Sequence, residues 1–225
     1  MSVIYKIAYL LFLSFVFLVS TGGEAVAGKY PATIEALQER YSDEINAHRK
    51  YNAYAKQACK EGYPNIAHLF KTLASSEAIH GRNFKNILKK LGAKPKADTH
   101  PIDSGSTRTN LKQAATVERD EIDTTYPTVL AKIKEENHQD AIHNITYAWK
   151  SEQQHRDLIV KLQKASSAFF GLLVKKIEGK ESHFHVCQVC GSTLLEKTSE
   201  KCPICSHTGK YKEIPPLSEI SCPVK

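Results

Sequence analysis

Two copies of one short pattern constrain this chain more than anything else in it: Glu77-Ala78-Ile79-His80 and Glu152-Gln153-Gln154-His155, each midway along a run with helical periodicity. Steps of four and three place Ile66, Phe70, Leu73, Glu77, His80, Phe84, Ile87 and Leu91 on one face of the first run. The second run places Ala141, Ile145, Ala148, Glu152, His155, Ile159 and Leu162 in the same way. A helix packed through such a seam buries an acid and an imidazole where leucines belong, and an unpaired buried carboxylate is costly. Aligned at an offset of 75 positions, the two runs also match Glu61 with Glu136, His68 with His143 and Ser76 with Ser151, which reads as an internal duplication of a helical hairpin.

The rest of the first 170 residues supplies more inward acids. A first helix is expected from Thr33, as N-cap, to the stop at Gly62, with the seam Ile34, Leu37, Tyr41, Glu44, His48, Tyr51, Ala55 and Ala58. The second runs from Pro64 to Gly92, and the stretch to Asn110, rich in Pro, Gly, Ser, Thr and Asp, reads as a long crossover loop. The third extends to about Glu136 with the seam Leu111, Ala114, Glu118, Glu121 and Thr125, and Pro127 is expected to kink it. The fourth covers Asp140 to Phe170. One Glu-x-x-His is common on solvated helix faces; two of them, each mid-seam, with acids facing inward from both remaining helices, require positive charge at the centre. Two divalent or trivalent cations meet that requirement, and the residue set is that of carboxylate-bridged di-iron bundles. His48 lacks a matching acid and is expected to be a hydrogen-bonded interior or boundary histidine.

The ends of the chain carry separate signals. Lys6, the apolar run Ile7 to Val19 and the small residues Ala25-Val26-Ala27 read as a cleavable export signal, with the mature chain starting near Gly28. The formal charge of +7 comes from lysines scattered along the helices rather than gathered in a block, so nucleic-acid binding is not expected. Four of the six cysteines form two tight pairs, Cys187-Gln188-Val189-Cys190 and Cys202-Pro203-Ile204-Cys205. Two such knuckles close a tetrahedron around one ion, and the geometry suits zinc and iron alike. The tetrahedron is complete without His183 and His185. Cys59 and Cys222 remain, as free thiols or as a pair.

This order of motifs resembles the rubrerythrin family, a ferritin-like di-iron bundle followed by a rubredoxin-like module. The resemblance covers Tyr30 to Glu213 and rests on Glu44 through Glu61-Gly62-Tyr63, Glu118 through Tyr126-Pro127, and Lys201 to Cys205 as well as the Glu-x-x-His pairs. It implies an all-α four-helix bundle over 28–175 and a small four-cysteine metal-binding domain over 182–215; the export signal at 1–27 and the tail after Glu213, here 216–225, depart from the family pattern. It further implies that Glu44, Glu77, His80, Glu118, Glu121, Glu152 and His155 hold two irons, with Glu121 and His80 as alternative ligands of one, and that Cys187, Cys190, Cys202 and Cys205 hold a third. Tyr51 and Tyr126 match the family's tyrosines beside the centre. The activity implied is reduction of hydrogen peroxide, in a homodimer whose cysteine site serves the neighbouring bundle. Export would replace cytoplasmic reductants with an extracytoplasmic electron donor. The competing readings are iron oxidation or storage by a ferritin-like protein, and a structural zinc protein without turnover.

Overall fold

The computed structural model describes residues 28–164, 183–195, 201–216 and 222. The expected export signal, the last part of the fourth helix and most of the tail lie outside these residues. Helix α1 (Pro31–Lys60) and α2 (Pro64–Lys90) form a long antiparallel hairpin turned by Gly62, whose φ of 81° is left-handed. Helix α3 (Thr107–Asp120) passes through a single π turn (Glu121–Thr125) into α4 (Tyr126–Ile133), and α5 (Gln139–Lys164) completes the bundle. No described helix is long and apolar enough to cross a membrane.

The duplication read from the sequence has a structural counterpart in how the helices start. Helix α1 begins at Pro31 with Tyr30 as a cap that makes no side-chain bond, so Thr33 lies inside the helix and is not its N-cap. The capping anion arrives from elsewhere: the Glu136 carboxylate accepts from the backbone N–H of Ala32 and of Thr33, each at 2.8 Å. Glu61, its counterpart in the other half, accepts from the N–H of Thr107 at 3.0 Å, at the start of α3. Each half therefore caps the other half's first helix. At the centre of the repeat the hydroxyls of Ser76 and Ser151 face each other at 3.4 Å.

The third helix departs from expectation at Pro127. The disturbance falls one turn earlier, where the N–H of Tyr126 reaches back to the carbonyl of Glu121, the π register. Proline has no N–H to give and its ring presses on the preceding turn, so an inserted residue just upstream absorbs the mismatch. The crossover loop lies along α1, where Gln38, Ser42, Asn46 and Arg49 bond the backbone of Lys96, Asp98 and His100.

Apolar side chains form two plugs. Tyr51, Tyr54, Phe70, Leu73, Leu111 and Ile159 belong to one, and Leu37, Phe84, Leu88, Tyr126, Ile133 and Ile145 to the other. Along α2 the seam crosses from Leu73 to Phe84 through Glu77 and His80, so the polar residues form a layer between the plugs. The small module is a three-stranded antiparallel sheet of order β2-β1-β3, from β1 (Phe184–Cys187), β2 (Thr193–Leu194) and β3 (Tyr211–Ile214).

Candidate metal centre

The polar layer gathers two overlapping groups of buried ligand-type atoms, Glu44, Glu77, His80 and Glu152 in one and Glu77, Glu118, Glu152 and His155 in the other. Both histidines aim Nδ1 at the centre. His80 Nδ1 lies 3.0 Å from Glu77, 3.1 Å from Glu152 and 3.5 Å from Glu44. His155 Nδ1 lies 2.8 Å from Glu152 and 3.3 Å from Glu77. Glu77 and Glu152, the acids of the two repeated motifs, are common to both groups. The rings of His80 and His155 stack 6.2 Å apart.

Burial strains the ionisation of this layer, and the two histidines offset it only in part, holding Glu152 below the ordinary carboxylate range against the cost of its burial. Burial pushes Glu44 up to about 7 despite the neighbouring His80, and it raises Glu118 well above the ordinary carboxylate value, with Glu152 and Glu77 adding repulsion. Burial disfavours charge on His155, yet Glu77 and Glu152 outweigh it and lift that imidazole to about 10. The carboxylate oxygens of Glu77 and Oε2 of Glu118 have close charged neighbours but no well-aligned hydrogen bond. Buried acceptors left open and converging on one spot fit cations, and the donor set of carboxylate oxygens and imidazole nitrogens suits iron.

Two tyrosines brace the layer from the plugs. The Tyr126 hydroxyl donates to Glu44 at 2.6 Å, and the Tyr51 hydroxyl donates to Glu118. Burial, followed by the nearby acids, raises both phenols well above 10, so each keeps its proton. Glu121 stands apart: it belongs to neither group, and its carboxylate faces Arg40 at 3.9 Å. Sequence reasoning passed over Arg40, a buried guanidinium that also covers the face of Tyr126. Its signal was available, since it lies one helical turn before Glu44. His48 is a boundary histidine as expected, with Nδ1 against the Ala74 carbonyl at 2.6 Å.

The cysteine cage closes beside this layer. Cys187 and Cys205 bring their sulfurs to 3.7 Å, and Cys190 and Cys202 to 3.6 Å. Each knuckle folds by a backbone bond from the residue after its second cysteine to the carbonyl of its first, Gly191 to Cys187 and Ser206 to Cys202, and both of those residues take positive φ. Burial pushes the Cys205 thiol up to about 12, so a bound cation is what would hold it as thiolate. His183 and His185 stay out of the cage and pair with Glu213 of the neighbouring strand.

In the single chain described, the module rests on that chain's own bundle, whereas the family resemblance implies a cysteine site that serves the neighbouring bundle. His80 turns Nε2 to the Cys190 carbonyl at 3.2 Å, and His155 turns Nε2 to the Thr193 hydroxyl at 3.4 Å. Each histidine therefore has one nitrogen in the carboxylate layer and the other on the module, an arrangement that fixes ring orientation in metal sites. A family model described as rubrerythrin matches residues 35–163. The chain is 30% identical to rubrerythrin-2 of Clostridium acetobutylicum over 79% of its own length and 93% of that protein's. It belongs to the rubrerythrin family. Nigerythrin of Nitratidesulfovibrio vulgaris is also 30% identical, over 77% of this chain and 82% of that one. The solved mixed-valence nigerythrin superposes with a TM-score of 0.70 at 29% identity, covering 80% of this chain and 86% of that one. A bacterioferritin from Desulfovibrio desulfuricans, at TM-score 0.64 and 20% identity, shares the fold. As a rubrerythrin-family oxidoreductase the chain carries a di-iron centre in the bundle and an iron site in the four-cysteine module.

Proposed function

We propose that the chain reduces hydrogen peroxide to water at the bundle and is recharged through the cysteine module. The observation that carries this reading is the contact of the two cages: the ring of His80 spans from the carboxylate layer to the carbonyl of Cys190. A storage protein has no use for a cysteine cage pressed onto a cage histidine. In this reading Glu44, Glu77, His80 and Glu152 hold one iron, Glu77, Glu118, Glu152 and His155 the other, and Cys187, Cys190, Cys202 and Cys205 a third. When bound, the bundle irons supply the two electrons that, with two protons, turn one peroxide into two waters, and the cysteine-held iron returns them singly.

The chain's own residues set the conditions. Tyr126 and Tyr51 orient Glu44 and Glu118 and hold protons at their hydroxyl oxygens beside the reacting centre. The plugs above and below keep bulk water out, which strengthens each charge interaction in the layer. His80 faces the cage while Glu121 rests beside Arg40, in keeping with the alternative-ligand role that the family resemblance implies for this pair. We also infer export: the segment from Lys6 to Ala27 supports it, and the N-terminal mass of native protein, expected near Gly28, tests it.

Cys205→Ser separates the two roles. The variant's bundle, reduced chemically beforehand, should consume one equivalent of peroxide per di-iron centre and then stop, whereas wild type with a donor for the cysteine site continues for many turnovers. Full turnover by the variant with the same donor sinks the relay. Rapid oxidation of added ferrous iron by both proteins, with no peroxide reaction, would replace the peroxidase reading with iron oxidation.

A further inference from the structure

The two halves of the bundle depart from their duplication at one place. Glu44 and Glu118 complete the two ligand groups in matching fashion, and each is braced by a tyrosine of the other half, Tyr126 and Tyr51. The offset is 74 positions from Glu44 to Glu118 but 75 from Tyr51 to Tyr126, so the second half holds one more residue between its acid and its tyrosine. The π turn Glu121–Thr125 takes up that residue. Glu121 opens the turn, and at the offset of 74 its counterpart in the first half is Ala47. Arg40, one helical turn before Glu44, has Ala114 as its counterpart. Ala114 belongs to one apolar plug and Ala47 packs against it, so one half has two alanines where the other has a pair of opposite charges.

Arg40 is only 8% exposed, and a buried cation is costly unless it is paired. Its guanidinium uses each nitrogen differently. Nη2 donates to Asp43, a half-exposed acid on the solvent side, and Nη1 faces the Glu121 carboxylate at 3.9 Å on the side of the centre. Nε is buried without a hydrogen-bond partner. The guanidinium lies over the ring of Tyr126, 5.7 Å from its centroid, and that tyrosine carries the hydroxyl that braces Glu44. At 3.9 Å the Glu121 pair is a charge contact and not a hydrogen bond, so the carboxylate is drawn to the guanidinium without being locked there. The open Nε–H leaves a second donor on the same fork for an incoming carboxylate.

We propose that Arg40 is a positioning residue that holds Glu121 clear of the carboxylate layer while His80 faces it, and so confines the exchange of these two ligands to the Glu44 side of the centre. The proposal rests on the alternative-ligand role read above for Glu121 and His80, and not on peroxide as the substrate. Glu121 as a ligand adds a negative charge that favours the ferric state, whereas the same charge beside Arg40 is neutralised away from the iron and the neutral imidazole in its place favours the ferrous state. Arg40 therefore stabilises the reduced form through Glu121. No such pair stands beside Glu118, where Ala47 and Ala114 take the counterpart positions, so the group of Glu118 and His155 keeps one ligand set.

The test is a double-mutant cycle on the iron-loaded holoprotein, read as the midpoint potential of the bundle irons in an anaerobic titration. Glu121→Gln, which removes the ferric-favouring ligand, should raise the midpoint, and Arg40→Gln should lower it. In the Glu121→Gln background the Arg40→Gln step should shrink by about 30 mV or more, the shift that a tenfold change in an equilibrium gives a two-electron couple. Crystals of the reduced protein should show Glu121 beside Arg40 in wild type and turned to the centre in Arg40→Gln. If Arg40→Gln loses helix content or iron, Arg40→Met, which keeps the stem over Tyr126, takes its place in the cycle. Equal Arg40 steps in both backgrounds would mean that the guanidinium acts on the irons through space alone; the positioning role falls and the ligand exchange stands. A midpoint unmoved by Glu121→Gln removes the exchange and the positioning role together. If the cycle shows the coupling but no protein reacts with peroxide, the role of Arg40 stands and the peroxidase reading falls.

Discussion

The carboxylate cage and the cysteine cage are both buried and meet at one histidine, yet they draw on the chain very differently. The first collects Glu44, Glu77, His80, Glu118, Glu152 and His155 from four helical passes, whereas the second closes between Cys187 and Cys205. A cage made of knuckles is organised by a few backbone bonds within each turn. A cage made across a bundle exists only when every helix has the correct depth and rotation, and until cations or protons arrive it is a buried cluster of acids. One cage is therefore a local fold that needs its ion. The other is a global fold that tolerates its own repulsion.

The sharpest way to break that contrast is Glu77→Ala, because Glu77 belongs to both bundle groups. Both bundle irons should go, leaving about one of about three irons per chain, with the colour of the cysteine site intact. Metal analysis beside an absorption spectrum decides it; loss of both signals together would mean that the cages do not fold independently.

A smaller effect is expected where the cages touch. Gly191 combines a φ of 82° with the closest approach to His80, so Gly191→Ala both strains the knuckle and pushes it off the ring. Both iron sites should remain loaded while electron transfer between them slows, by about tenfold if docking is weakened by about 1–2 kcal/mol. Unchanged transfer at full iron content would show that the contact at His80 is not the route.

The mildest test uses pH. In metal-free protein, the stability that Glu44 contributes by holding a proton is complete below 4.5 and lost as pH rises through about 7. His155 contributes as a cation, fully below 6.5, and loses that contribution as pH rises through about 10. Both signs agree, so the metal-free melting temperature should fall by about 5 °C or more from pH 5 to pH 9, while iron-loaded protein stays flat. A rising metal-free profile would mean that the acids are not buried together.

Much of this architecture was legible in the residues because helical periodicity reports which face is buried. Glu77 and Glu152 interrupt apolar seams, and the same repeat matched Ser76 with Ser151 and Glu61 with Glu136. The role of the last pair was not legible, since a carboxylate that caps another helix leaves no local mark. The same holds for Thr33, a good N-cap residue displaced by an anion from a distant turn. The π turn ahead of Pro127 was read only as a kink, because sequence marks the breaker and not how the backbone relieves it.

By itself the sequence determined three of the helical seams, that of the third helix as far as Glu118, the two repeated motifs and the two cysteine knuckles, since each depends on spacings of a few residues that backbone geometry fixes. Beyond Glu118 the π turn buries Ile122 and Tyr126 in place of the expected Glu121 and Thr125. Tertiary structure alone decided which acids meet. It placed Glu121 beside Arg40 and outside both groups, joined Cys59 to Cys222, and set the cysteine cage on the histidines of its own chain. Those outcomes depend on how far each helix is rotated and where the chain returns after long excursions, and no spacing within a single element encodes either.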